Sequence, residues 1–290
     1  MERPVFVLSS GRCGSTLLQR LLNSNPRLAI AGEHGGFLRS LSASYFYATR
    51  LEAVQKNIFA RKQSRKTFAK NIRSSDQMVA WENFFTEEDF KEAYRQFVRS
   101  LFCFDPALRW GFKEIGYGVR DEVAEMLRVL FPEARFVILL RHPLDVVVSK
   151  ATAFPRPRKL AQAALKGDDE AAERYRSLLN DYAANWGRLY SHLLELAETD
   201  PFSFTLRYED LIARSAETIS GIETFLGEGA FEVDKVLQHQ VNVGPGNQEI
   251  KRLAVDVLLA DWDRIVEEVG APAAKAGYDM SRDHLEAKKP

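Results

Sequence analysis

Two short stretches of this 290-residue chain hold residues suited to gripping anions. The first, residues 5–22, reads VFVLSSGRCGSTLLQRLL. An apolar run at 5–8 ends in Ser9, Ser10 and Gly11; Arg12, Cys13, Gly14, Ser15 and Thr16 follow, and then Leu17, Leu18, Leu21 and Leu22 recur at helical spacing. Strand, small-residue turn and helix aim the free N–H groups of a helix N-terminus at an anion. Gly11 and Gly14 let the backbone approach it closely. The second stretch begins with the buried-strand pattern FVILL at 136–140 and continues as RHPLDVVVS. Pro143 suits the first turn of a helix, which leaves Arg141 at a strand end and Ser149 about two turns on. An arginine fork and a hydroxyl can together hold a terminal phosphate. Asp145, four residues before Ser149, reads as structural.

Groups able to move a proton lie near the first stretch. The short apolar segment 28–30 leads into Ala31-Gly32-Glu33-His34-Gly35-Gly36. A carboxylate or imidazole at a strand end can take the proton of a hydroxyl. Lys113 follows an apolar strand candidate at 108–112 and can offset negative charge developing in a transition state.

The first loop departs from the Walker A pattern, which has Lys directly after its last Gly. Here Ser15 follows Gly14, Ser9 stands where the first Gly belongs, and the one cation of the turn is Arg12. A triphosphate enzyme needs that lysine and Mg²⁺, so the loop suits a smaller charged group. With GRCGSTLL near its start, the chain resembles sulfotransferases that use 3′-phosphoadenosine 5′-phosphosulfate (PAPS). RHPLDVVVS resembles the segment with which that family holds the 3′-phosphate: an Arg, seven residues, then a Ser, met by Arg141 and Ser149. FTLRYEDL at 204–211 is similar to a third family segment, whose tyrosine contacts adenine; Tyr208 inherits that role.

The resemblance implies an α/β, P-loop-like three-layer fold with a central parallel sheet, formed by one domain over 1–290 with a helical acceptor-pocket insert at about 37–106. It implies PAPS as sulfuryl donor and no metal. Arg12, Cys13, Gly14, Ser15, Thr16 and Leu17 would hold the 5′-phosphate, chiefly through backbone N–H groups and the two hydroxyls. Glu33 is the expected base, ahead of His34, with Arg12 and Lys113 offsetting charge. Lys251 and Arg252 end a Gly-rich segment, 241–252, that stands where the family has a loop closing over the cofactor, although the family's Arg-Lys-Gly form is absent.

Composition fits this reading. The hydrophobic share is 46%, the charged share 28% and the formal net charge zero, which speaks against a general nucleic-acid binder. No apolar run reaches membrane-span length. Cys13 and Cys103 make no disulfide framework, so a reducing cytoplasm is the expected home. The five histidines, at 34, 142, 192, 239 and 284, show no ligand spacing. Strand candidates at 5–8, 108–112, 135–140 and 202–206 alternate with helical patterns, as in a parallel sheet covered by helices. Residues 37–106 read as mostly helical, 168–198 as one long helix, and 151–166, with Pro155 and Pro157, as a loop. The basic stretch 61–73 reads as a solvated helix face.

Three rival readings stay open. A P-loop kinase would need a lysine after Gly14. A cysteine phosphatase would use Cys13 as nucleophile. A non-catalytic binder of adenosine bisphosphate would keep the two grips without turnover. The acceptor is expected to be a hydroxyl on a small molecule or a carrier; its identity and the oligomeric state are not encoded legibly.

Overall fold

The computed structural model describes residues 2–59, 85–117, 122–238 and 247–290. In chain order the first elements are β1 (Val5–Ser9), α1 (Ser15–Asn23), β2 (Leu28–Ala31), α2 (Leu38–Arg50), α3 (Glu52–Ile58), α4 (Glu87–Phe102), β3 (Arg109–Ile115), α5 (Val123–Leu130) and β4 (Arg135–Leu140). They are followed by α6 (Pro143–Ala153), α7 (Pro155–Ala164), α8 (Asp169–Thr199), β5 (Ser203–Arg207), α9 (Tyr208–Ile212), α10 (Ala216–Leu226), α11 (Val233–Gln238), α12 (Gln248–Ala260), α13 (Trp262–Lys275) and α14 (Arg282–Glu286).

The five strands form one parallel sheet in the order β2-β3-β1-β4-β5. β1 is central and every one of its residues is buried, which is why VFVLS reads as a continuous apolar run. Its Phe6 ring lies 4.6 Å from Phe112 on one neighbour and 5.5 Å from Phe136 on the other, so one aromatic layer ties three strands together. Because all strands point the same way, the turns after β1, β2, β4 and β5 open on one edge. Ligands of such sheets bind at that edge.

Capping explains where several helices start. Thr86 and Asp89 form a capping box at α4, and Asp168 accepts the Ala171 N–H at α8. α8 buries Tyr175, Leu179, Ala183, Trp186, Tyr190 and Leu193 along one stripe. It meets α13 closely at Gly187, where a β-carbon would run into the Glu268 carbonyl.

Two sequence expectations change. β3 begins at Arg109 and runs on to Ile115, so Lys113 lies inside the strand, paired in register with Val7. Segment 151–166 holds the end of α6 and all of α7 rather than a loop. Pro155 and Pro157 sit in the first turn of α7, where backbone N–H groups lack intrahelical acceptors and the missing donors cost little. Of the helical stretch expected at 37–106, α2, α3 and α4 are observed. The basic run 61–73, the first part of segment 241–252 and His239 lie outside the described residues. No described helix is long and apolar enough to cross a membrane.

Candidate active site at the carboxyl edge of the sheet

The β1–α1 turn takes its shape from two left-handed residues, Arg12 at φ 74° and Gly14 at φ 88°. Around Cys13 they curl the backbone so that successive N–H groups point inward, a concavity suited to an anion. The Leu17 N–H is not among them, because it donates to the Gly14 carbonyl at 2.9 Å. The expected cradle therefore shrinks to the N–H groups up to Thr16. Ser15 is buried and Thr16 exposed, so Thr16 carries the accessible hydroxyl.

The Cys13 side chain turns into the core. Its Sγ lies 3.0 Å from Ser10 Oγ and 3.2 Å from the Tyr190 hydroxyl. That hydroxyl accepts the Ser10 N–H at 3.0 Å and donates to the Leu139 carbonyl at 2.7 Å. Tyr190 thus pins the back of the turn to β4. Burial pushes the Cys13 thiol up, with hydrogen bonds from Ser10 and Tyr190 opposing. A sealed, protonated thiol cannot attack phosphate, which removes the phosphatase reading.

The second grip meets the first. Arg12 Nε donates to Ser149 Oγ at 3.1 Å, and Arg141 Nη1 donates to the Arg12 carbonyl at 2.9 Å. The Arg141 guanidinium lies 4.6 Å from the Tyr208 ring centroid. The Tyr208 ring rests on Gly14 so tightly that a β-carbon there would collide with it. Arg141 Nε is buried and finds no protein acceptor.

A shell of partners behind the grip holds His142 and Glu209, the residues that follow Arg141 and Tyr208. Glu209 accepts the His142 N–H at 3.0 Å and the Tyr278 hydroxyl at 2.8 Å. His142 Nε2 donates to the Asp279 carbonyl at 3.1 Å, and its ring stacks on His284 at 3.8 Å. Asp145 holds His284 Nε2 at 3.2 Å and Lys288 Nζ at 3.0 Å, the structural role expected of it. Sequence spacing hid this grouping: polar atoms of His142, Asp145 and His284 lie within 4.8 Å of one another. Lys288 already offsets the Asp145 charge.

On the other side of the turn, Lys113 Nζ donates to Glu33 Oε1. The lysine side chain is 5% exposed and the Glu33 side chain 43%. The carboxylate therefore faces outward from a buried cation. Beneath it, the buried Glu114 accepts the N–H groups of His34 at 3.0 Å, Gly36 at 3.1 Å and Ile115 at 2.8 Å. His34 turns inward among Phe37, Phe102 and Phe112. Its Nε2 lies 2.7 Å from the Tyr117 hydroxyl and its Nδ1 3.5 Å from Glu114. Burial holds the imidazole below its usual range, against the opposing pull of Glu114. Of the two candidate bases, Glu33 is the one turned toward solvent.

Lys251 ends the first turn of α12 and Arg252 begins the second. Arg252 lines a surface cavity with Leu165, Leu253 and Asp256, whose lining includes none of the turn's residues. Sequence reasoning missed Glu114, Tyr190 and Glu209. One signal was present: Lys113 and Glu114 are adjacent charges inside an otherwise buried strand.

Cations, an anion cradle and an outward carboxylate share one edge, a set that can move a charged group onto a hydroxyl. Residues 4–232 match the family model for the sulfotransferase family. The chain belongs to the sulfotransferase family. No curated protein matches it. Among solved structures, the sulfotransferase domain from the curacin biosynthetic pathway is 17% identical, with 97% of this chain and 99% of that chain covered and a TM-score of 0.50. The sulfotransferase from Alicyclobacillus acidocaldarius is 14% identical, with 99% and 100% covered and a TM-score of 0.53. At these identities both share the fold with this sulfotransferase.

Proposed function

We propose that the protein moves the sulfuryl group of PAPS onto a hydroxyl of a small-molecule or carrier-bound acceptor. The hydrogen bond from Arg12 to Ser149 carries this reading, because it joins two anion grips so that they face a single ligand. The Arg141 guanidinium, held beside the turn by the Arg12 carbonyl, suits a phosphate, the 3′-phosphate in this reading. The concave turn from Cys13 to Thr16 suits the 5′-phosphate, and the Tyr208 ring suits the adenine.

In the proposed step Glu33 accepts the proton of the acceptor hydroxyl. The acceptor oxygen forms a bond to sulfur while the bond from sulfur to the bridging phosphate oxygen breaks. The electron pair leaves with adenosine 3′,5′-bisphosphate. Arg12 and Lys113 offset the charge that grows on the sulfuryl and leaving oxygens. His34 is a positioning residue here, and Lys251 and Arg252 are kept only as candidate contacts. One domain over 1–290, with the insert at about 37–106 shaping the acceptor side, is part of the same proposal. So is a reducing, cytoplasmic setting, in keeping with two free cysteines.

Calorimetry tests the reading first. Adenosine 3′,5′-bisphosphate should bind, and ATP with magnesium should not compete with it. Uptake of ATP–magnesium with indifference to the bisphosphate would overturn the proposal. Incubation with labelled PAPS and a panel of alcohols, phenols and carrier-bound hydroxyls then finds the acceptor.

A further inference from the structure

Glu33 stands in a turn that its own sequence would leave loose. Residues 32–36 read Gly-Glu-His-Gly-Gly, and Gly35 and Gly36 take left-handed backbone at φ 68° and φ 71°. Glycine has more backbone freedom to lose than any other residue, so such a turn keeps one shape only if groups outside it impose that shape.

The outside group is a buried carboxylate. The Glu114 side chain is 3% exposed, and its Oε2 accepts both the His34 N–H at 3.0 Å and the Gly36 N–H at 3.1 Å. Its Oε1 accepts the Ile115 N–H at 2.8 Å. Among the described residues no Lys or Arg pairs with it. An apolar side chain of similar size would fill the same space without the cost of burying an acid. What Glu114 adds is a pair of bonds aimed at the two residues on either side of Gly35. Tyr117 closes the far end: its hydroxyl accepts the Leu38 N–H at 3.2 Å and lies 2.7 Å from His34 Nε2. The residue before Glu114 is Lys113, which grips the Glu33 carboxylate itself. One strand end therefore fixes both the backbone of the turn and the side chain it carries. The phosphate grips use none of these residues, since Arg12, Ser149 and Arg141 are held by one another.

We propose that Glu114, aided by Tyr117, is a positioning residue for the transfer. Enclosed beneath the turn, it acts through Glu33, whose carboxylate it keeps over Lys113 at the carboxyl edge of the sheet. This rests on the sulfuryl-transfer reading with Glu33 as base.

The test uses the full chain with labelled PAPS and the panel of alcohols, phenols and carrier-bound hydroxyls. Glu114→Gln keeps the size of the side chain but has one oxygen where the native residue has two, so part of the N–H set loses its acceptor. Its kcat should fall by about tenfold or more, because a slightly misplaced base is a poor one. The KM for PAPS and the calorimetric affinity for adenosine 3′,5′-bisphosphate should stay at the parent level. Glu33→Gln/Glu114→Gln should be no slower than Glu33→Gln alone, since a residue that acts only through Glu33 has nothing left to act on. Should Glu114→Gln fail to fold, Tyr117→Phe puts the same question more gently, with a fall in kcat that also vanishes in the Glu33→Gln background. Parent-level kcat, bisphosphate affinity falling in step with kcat, or a double variant slowed by the full Glu114 factor overturns the positioning role and leaves the transfer reading standing. A parent protein that moves no sulfuryl group from PAPS to any of these acceptors overturns the transfer reading, and this inference with it.

Discussion

Arg12 Nε donates to Ser149 Oγ at 3.1 Å across 137 positions of sequence. The β1–α1 turn and α6 are thereby tied to each other, and in the proposed reading one ligand touches both. Ser149→Ala should weaken adenosine 3′,5′-bisphosphate by about tenfold, the effect of one ordinary hydrogen bond. Arg141→Ala should weaken PAPS and its product alike by about a hundredfold, since a charge-assisted fork is lost. Calorimetry on both variants checks this. Bisphosphate binding at wild-type strength in Arg141→Ala would remove the second grip.

Glu33 turns outward a carboxylate backed by the buried Lys113. Glu33→Gln keeps the shape and loses the proton acceptor. Turnover should fall by about a hundredfold or more, with bisphosphate affinity little changed. Steady-state kinetics beside calorimetry separates the two effects. Equal turnover would take Glu33 out of the mechanism.

Cys13 and Tyr190 share a buried hydrogen-bonding hub but should respond differently to substitution. Cys13→Ser keeps a small hydrogen-bonding group in place, so sulfuryl transfer should survive. Tyr190→Phe strands the Ser10 N–H and the Leu139 carbonyl, at a cost of about 1–3 kcal/mol in denaturant unfolding. A Tyr190→Phe protein as stable as the parent would show that water replaces the hydroxyl.

Burial holds the imidazoles of both His34 and His142 below their usual range. Below about pH 6.5 the unfolded chain therefore binds protons that the folded chain refuses. The stability these groups contribute is complete above that pH and drains away as pH falls toward their folded values. Urea midpoints should be lower at pH 5.5 than at pH 7.5, and His142→Gln should flatten the difference. A pH-independent midpoint between those values would contradict the burial argument.

The parts of the site that were legible in sequence are local. Small residues between an apolar strand and a helical pattern announce the first turn, and Arg141, Pro143 and Ser149 announce a strand end and a helix within nine residues. What escaped depends on distant packing. Tyr190 looks like any other member of the α8 apolar stripe until Ser10 and Leu139 arrive beside it. In sequence Lys113 reads as following its strand, since a charge seldom sits inside one; Glu33, eighty residues away, makes it tolerable there. Segment 151–166 reads as a loop in sequence but folds as helix, because Pro155 and Pro157 can either break a helix or start one, and only position within the turn decides which. The His142–His284 stack joins residues that sequence spacing keeps apart.

Asp145, in the first turn of α6, is clasped by His284 and Lys288 from the last helix and the residues just after it. The stretch by which the family is recognised stops at residue 232. A minimal version trimmed to that stretch would discard the brace on the very helix that presents Ser149.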